Sequence, residues 1–221
     1  MFGYHVLCIG SATLDNFLTI EQPLSKIKLG DKVLVKALEK HSGGGATNAA
    51  AALSKLGLKV KILTKLGNDH DAHFIKEELK QYQVKNICRS HSKLNTDFST
   101  ILSSTKEKDR IIFVHKGASQ DLKVSDFSLF NLRTDWLYLA TLMGKSLPTA
   151  KFIADYALRK KIPLLFNPSL YLAQKGKKYL SPILLATTIL VLNKEEAQAL
   201  LGLKTSSIEQ LLLELRKLGP K

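Results

Sequence analysis

HSGGGATNAAAALSKLG, residues 41–57, sets three consecutive glycines and a Thr-Asn pair ahead of an alanine run that stops at Leu-Gly. The pattern predicts a tight turn followed by a helix over 46–56, with Gly57 as its C-terminal stop. Glycines placed there let backbone N–H groups come close to a ligand, at a helix end where several amides have no intrahelical partner. The familiar phosphate loops do not fit. A P-loop counted from Gly43 would need a glycine where Asn48 stands, and no lysine follows it. The dinucleotide fingerprint G-x-G-x-x-G also puts Asn48 in its third glycine slot. What remains suits a polyhydroxylated ligand, with Asn48 offering a donor and an acceptor one turn into the helix. Close helix–sheet packing around a tight turn accounts for the glycines and alanines equally well, but not for the asparagine.

Outward from that stretch, strand and helix alternate. Residues 4–11 hold the buried-strand run Val6-Leu7-Cys8-Ile9 and close on Gly10, and residues 32–40 show the rough alternation of an exposed strand. Leu58-Lys59-Val60-Lys61-Ile62 alternates cleanly and predicts a strand with one lysine face. Residues 71–82 predict a helix that turns Phe74, Ile75, Leu79 and Tyr82 inward. Residues 96–104 and 110–115 predict two strands joined by the turn Lys106-Glu107-Lys108-Asp109. Further strands are expected at 136–140, 164–166 and 189–192, and further helices at 149–160, 194–201 and 208–218. This order predicts an α/β fold, a doubly wound, mostly parallel sheet flanked by helices. The hairpin at 96–115 breaks the rhythm and suits a small β-strand lid over a site.

Composition narrows the class of partner. Lysine and arginine outnumber aspartate and glutamate by 33 to 19, a net charge of +14. Such an excess can serve nucleic acid. Here the lysines are scattered singly or in pairs without interleaved aromatics, so a solvated face accounts for them and no nucleic-acid partner is expected. A positive field would also gather an anionic nucleotide triphosphate. No apolar run approaches the roughly 18 residues of a membrane span, and the first apolar stretch is too short for a signal sequence. Cys8 and Cys88 belong to no CxxC pair, which argues against a disulfide framework and for a reducing cytoplasm.

Three polar groups could carry chemistry. Asp15 follows the first strand, where an open α/β sheet places its ligand crevice, and its carboxylate could accept hydrogen bonds from vicinal hydroxyls. A surface turn would explain it as well. Asn193-Lys194-Glu195-Glu196 opens a helix at the end of a strand, and Asn193 with Glu196 makes a complete capping box. The same two side chains, on one helix face, could instead hold hydrated Mg²⁺ beside a nucleotide. His70 and His73 stand three apart without an H-E-x-x-H motif or a cysteine partner, and no G-x-S-x-G elbow occurs.

Taken together the motifs are more specific than any one of them. Gly10 to Asp15, Gly43-Gly44-Gly45-Ala46-Thr47-Asn48, Leu56-Gly57 and Leu66-Gly67-Asn68-Asp69 resemble the N-terminal signature of the PfkB carbohydrate kinases, the ribokinase-like family. Leu192-Asn193-Lys194-Glu195-Glu196 resembles the family's N-x-x-E motif, and Asn167-Pro168 the motif that closes an earlier strand. The resemblance implies ATP-dependent phosphorylation of a hydroxymethyl group on a sugar or nucleoside. It implies that residues 1–221 form one ribokinase-like domain, with lid strands inserted at about 16–41 and 95–115, and homodimers formed through the lid. Asp15, Gly43, Gly44 and Asn48 match substrate-binding positions. Asn167, Asn193 and Glu196 match phosphate and nucleotide positions, with Asn193 and Glu196 organising Mg²⁺ through water. Thr13 departs from the family, because ribokinase has an asparagine there, so ribose itself is not implied as the acceptor. The family's Gly-Ala-Gly-Asp segment, which supplies the anion hole and the general-base aspartate, does not occur before Lys221. The resemblance therefore implies a C-terminally incomplete domain that keeps the substrate half and lacks catalysis. The alternative is a non-catalytic sugar- or nucleoside-binding protein derived from such a kinase.

Overall fold

The computed structural model describes residues 3–204 and 207–220. In chain order the strands and helices are β1 (Val6–Ile9), β2 (Thr13–Ile20), β3 (Ala37–Gly43), α1 (Gly45–Lys55), β4 (Val60–Leu63), α2 (His70–Gln81), β5 (Lys85–Asn86), β6 (Asp97–Ser104) and β7 (Arg110–His115). There follow β8 (Trp136–Leu139), α3 (Leu147–Lys160), β9 (Leu164–Phe166), α4 (Leu170–Ala173), α5 (Lys177–Leu184), β10 (Ile189–Leu190), α6 (Lys194–Leu201) and α7 (Ile208–Arg216).

Six strands form one sheet in the order β10-β9-β8-β1-β4-β5, with every pairing parallel. Period-2 alternation along β1 divides the core between the two faces of the sheet. Val6 and Cys8 pack with Ala46, Ala50, Ala72, Ile75 and Leu79 of α1 and α2. Leu7 and Ile9 pack with residues of α3, α5, α6 and α7, among them Ile153, Ile183, Leu200 and Leu215. Helices therefore cover both faces, as an all-parallel sheet requires. From β1 the chain winds one way to β4 and later the other way to β8, which makes the carboxyl ends of β1 and β8 the switch point.

The second sheet is small and mixed, in the order β3-β2-β6-β7. It springs from the carboxyl end of β1 after only Gly10, Ser11 and Ala12. Strand β2 pairs antiparallel with β3 and parallel with β6, and β7 closes the edge as the second arm of a hairpin.

Several sequence expectations shift. Thr13–Ile20 is a strand, although adjacent Asp15 and Asn16 break the alternation that would announce it. The strand expected over 32–40 begins only at Ala37 and runs on to Gly43, because its pairing with β2 sets its limits. Lys61 does not face solvent: β4 is buried along its whole length between β1 and β5, and Lys61 is 5% exposed. Its stem lies within the core, and its ammonium escapes to the amino end of the sheet, where it donates to the Arg133 carbonyl at 2.9 Å. Helix α5 and the two-residue strand β5 carried no signal strong enough to be anticipated.

Candidate functional site

Asp15 is the third residue of β2, in register with His41 of β3 and Ser99 of β6. Strand pairing therefore turns all three side chains to one face of the small sheet. Ser99 Oγ donates to Asp15 Oδ1 at 2.6 Å. The other carboxylate oxygen lies over Gly43, where a Cβ would fall inside the carboxylate group. Burial pushes the Asp15 carboxyl above its ordinary range, while the Ser99 hydrogen bond and the charges of Lys116 and His41 pull the other way. A concavity of about 400 Å³ opens on this face, lined among others by Thr13, Asp15, Phe17, Ser99, Ile112 and Lys116.

The next residues close the turn onto α1. Gly44 sits at φ +93°, and a Cβ there would come within 2.5 Å of the Ser11 carbonyl oxygen. That same carbonyl accepts from Ala46 N at 3.2 Å. The glycine run thus meets both demands left open by the sequence: Gly44 permits the packing, and Gly43 makes room for Asp15. Asn48 stands exposed on the first turn of α1; its backbone N–H donates to the Gly44 carbonyl at 3.0 Å, and its side-chain amide makes no hydrogen bond among the described residues. Gly44 and Asn48 do not line the concavity itself.

A second group lies at the carboxyl ends of β9 and β10. Asn167 Oδ1 accepts from the Tyr138 hydroxyl at 3.1 Å, and its Nδ2 donates to the Val191 carbonyl at 2.8 Å. It thereby ties the ends of three neighbouring strands together. Asn193 Oδ1 accepts from Glu196 N at 2.8 Å and Glu196 Oε2 accepts from Asn193 N at 2.9 Å, the reciprocal capping box of α6. The remaining carboxylate oxygen and the Asn193 amide stay open to solvent, a donor set that suits a hydrated Mg²⁺ held through water. No bond joins this group to Asp15. Strand β10 lies three strands from β1, a separation of about 14 Å at ordinary strand spacing.

Two carboxylates frame the root of the small sheet: Asp69, which the sequence marks only as part of a motif, and Asp97, which it does not mark at all. Asp69 accepts from Ala72 N at 2.8 Å as the cap of α2, and from Thr96 N and Thr96 Oγ1 at 2.7 Å each. Asp97 is fully buried and accepts from Gly117 N and Ser119 N at 3.0 Å and Ser119 Oγ at 2.5 Å, with Lys116 Nζ at 3.4 Å. Ser99 went unnoticed because its partner lies 84 residues away in sequence. The burial pattern of β6, with Asp97 and Ser99 inside and Phe98 outside, is the signal that a polar inner face exists. Among the described residues no cluster of His, Cys, Asp and Glu could hold a metal directly, and no helix is long and apolar enough to cross a membrane. The general-base aspartate expected beyond Lys221 lies outside the described residues.

The sequence model of a family described as pfkB family carbohydrate kinase matches residues 4–221. The chain belongs to that family. It is 25% identical over 209 residues to a ribokinase of Staphylococcus aureus, covering 91% of this chain and 64% of that one. A nucleoside kinase of Methanocaldococcus jannaschii is 24% identical over 211 residues, covering 94% of this chain and 66% of that one. The structure of Arabidopsis thaliana ribokinase complexed with ribose and ATP superposes with a TM-score of 0.78 at 20% identity, over 99% of this chain and 70% of that one. At that identity the likeness carries the fold. This pfkB-family chain spans between 32% and 66% of the length of the curated relatives it matches.

Proposed function

We propose that the chain provides the acceptor half of an ATP-dependent kinase that phosphorylates a hydroxymethyl group on a sugar or nucleoside. The observation that carries this reading is the Asp15 carboxylate, steadied on one oxygen by Ser99 and seated over Gly43 in a concavity beside the switch point. A carboxylate placed so accepts hydrogen bonds from two vicinal hydroxyls and fixes the sugar ring. Orientation of that kind turns the encounter of two reactants into a step within one complex. Asn48, free on α1, reads a further hydroxyl. The small sheet serves as a lid that excludes water from the acceptor.

Asn167, Asn193 and Glu196 are assigned to the nucleotide side. Their distance from Asp15 leaves room for a triphosphate lying across the ends of β8 and β9. Mg²⁺, when bound, neutralises phosphate charge, with Glu196 and Asn193 holding it through water. The capping box keeps both side chains in place beforehand. Cys8 and Cys88 are free thiols, which fits a reducing cytoplasm. The outer face of the lid, with Leu38, Phe98, Ile111 and Phe113 exposed, is assigned to a second copy of the chain.

These 221 residues contain no Gly-Ala-Gly-Asp segment, an observation that favours binding without turnover for this chain as it stands. Titration calorimetry with a panel of sugars and nucleosides, beside an assay of ATP·Mg²⁺ consumption, tests both parts. Acceptor binding that weakens by roughly 10–100-fold in Asp15→Asn, with no phosphorylated product, is the expected result. Product above background overturns the loss of catalysis, and a panel without any binder overturns the acceptor site.

A further inference from the structure

The opposite edge of the main sheet holds a second concavity, of about 630 Å³, at the amino ends of β1, β4 and β8. Tyr4, Lys61, Lys85, Arg89, Phe130 and Arg133 line it, and no acidic residue does. Lys61 and Lys85 are direct partners across the β4–β5 ladder, an arrangement that like charges disfavour. Neither of them, nor Arg89 or Arg133, forms an ion pair with a carboxylate among the described residues. The nearby Asp126 is already committed to Lys65 and Ser90. Lys61 is the telling residue: 95% of its surface is gone, and its ammonium has only the Arg133 carbonyl at 2.9 Å and the Tyr4 ring at 5.0 Å. Burial holds its pKa below the usual lysine range. A largely desolvated ammonium held by one carbonyl and one ring, with no counter-charge beside it, gains from an arriving anion.

The walls describe that anion. Two arginines offer planar forks suited to phosphate oxygens. Phe130 is 68% exposed and already stacked by the Arg133 guanidinium at 4.9 Å, which presents a flat ring and a cation side by side. The volume is that of a small-molecule site. We propose that this cleft binds a nucleotide, with its phosphates on Lys61, Lys85, Arg89 and Arg133 and its base on Phe130. The site lies at the amino ends of the strands, whereas the acceptor concavity lies at their carboxyl ends, so the inference stands apart from the proposed kinase reading.

The test is titration of the full chain with ADP, followed by calorimetry and by backbone amide signals. The signals of residues 4, 61, 85, 89, 130 and 133 should shift together on one saturation curve. Arg89→Glu with Arg133→Glu should weaken that curve by about tenfold or more. Lys175→Glu with Lys178→Glu, the same charge change elsewhere, should leave it within about twofold. Lys61→Met should melt no lower than the parent and still weaken ADP, which separates binding from folding. Inorganic pyrophosphate should bind more weakly than ADP. The proposal fails if the six signals stay still at millimolar ADP, if both double variants weaken binding alike, or if pyrophosphate matches ADP. It also fails if a single-stranded oligonucleotide takes the cleft in preference to ADP.

Discussion

At Asp15 the proposed acceptor role and stability pull in opposite directions. Its carboxyl is raised by burial, so the folded chain holds it charged at a cost that grows as pH rises through that raised value. Asp15→Asn removes the cost, and we expect the melting temperature at neutral pH to rise by roughly 1–3 °C. The same change should weaken acceptor binding by roughly 10–100-fold, since charge-assisted hydrogen bonds are lost. A variant that melts lower and binds as before would remove Asp15 from the site. Gly43→Ala makes a paired case: the new methyl collides with the carboxylate, and we expect about 1–3 kcal/mol of destabilisation together with lost acceptor binding, read by melting and calorimetry. The sequence drew attention to Gly43 through the glycine run and to Asp15 through its place just past the first strand. It could not announce Ser99, because the hydrogen bond to Asp15 depends on a strand register that local patterns do not contain.

Asp69 works at the scale of elements, since one carboxylate caps α2 and holds Thr96 at the entry to β6. Burial alone would raise its pKa, but hydrogen bonds from Thr96 and Ala72 outweigh that and hold it below the ordinary range. A carboxylate lower in the folded chain than in the unfolded one stabilises the fold above its ordinary pKa of about 4. That contribution is lost as pH falls through the depressed value. Asp69→Ala should therefore cost about 2–3 kcal/mol at pH 7 and leave a melting profile less sensitive to acid. Hydrogen exchange at the Thr96 amide should rise with it, and an unchanged Thr96 would leave Asp69 as a helix cap alone. The strand–helix alternation of the main sheet was legible because burial on both faces gives β1, β8 and β9 continuous apolar runs. Strand β2 was not, because its inner face carries the polar site. Lys61 misled for the converse reason: a period-2 lysine reads as solvent-facing, yet its stem is long enough to leave the core at the end of the sheet.

For the molecule as a whole, the two sheets divide the labour between core and cover. The main sheet keeps most of its apolar residues inside, whereas all of β7 and Phe98 of β6 remain exposed. Phe113→Lys should leave the monomer's fold intact and, if a second copy covers that face, halve the mass measured by light scattering. An unchanged mass would dismiss the lid-to-lid dimer. The connection between the sheets carries a mechanical consequence. For any rocking of the small sheet about Ala12, β2 is the lever arm. Asp15 lies about 10 Å along that arm and Ile20 about 26 Å, at the usual rise per strand residue. A rocking motion that swung the far end by about 6 Å would then shift Asp15 by only about 2 Å, so the mouth of the concavity would widen while the Asp15 carboxylate barely moved.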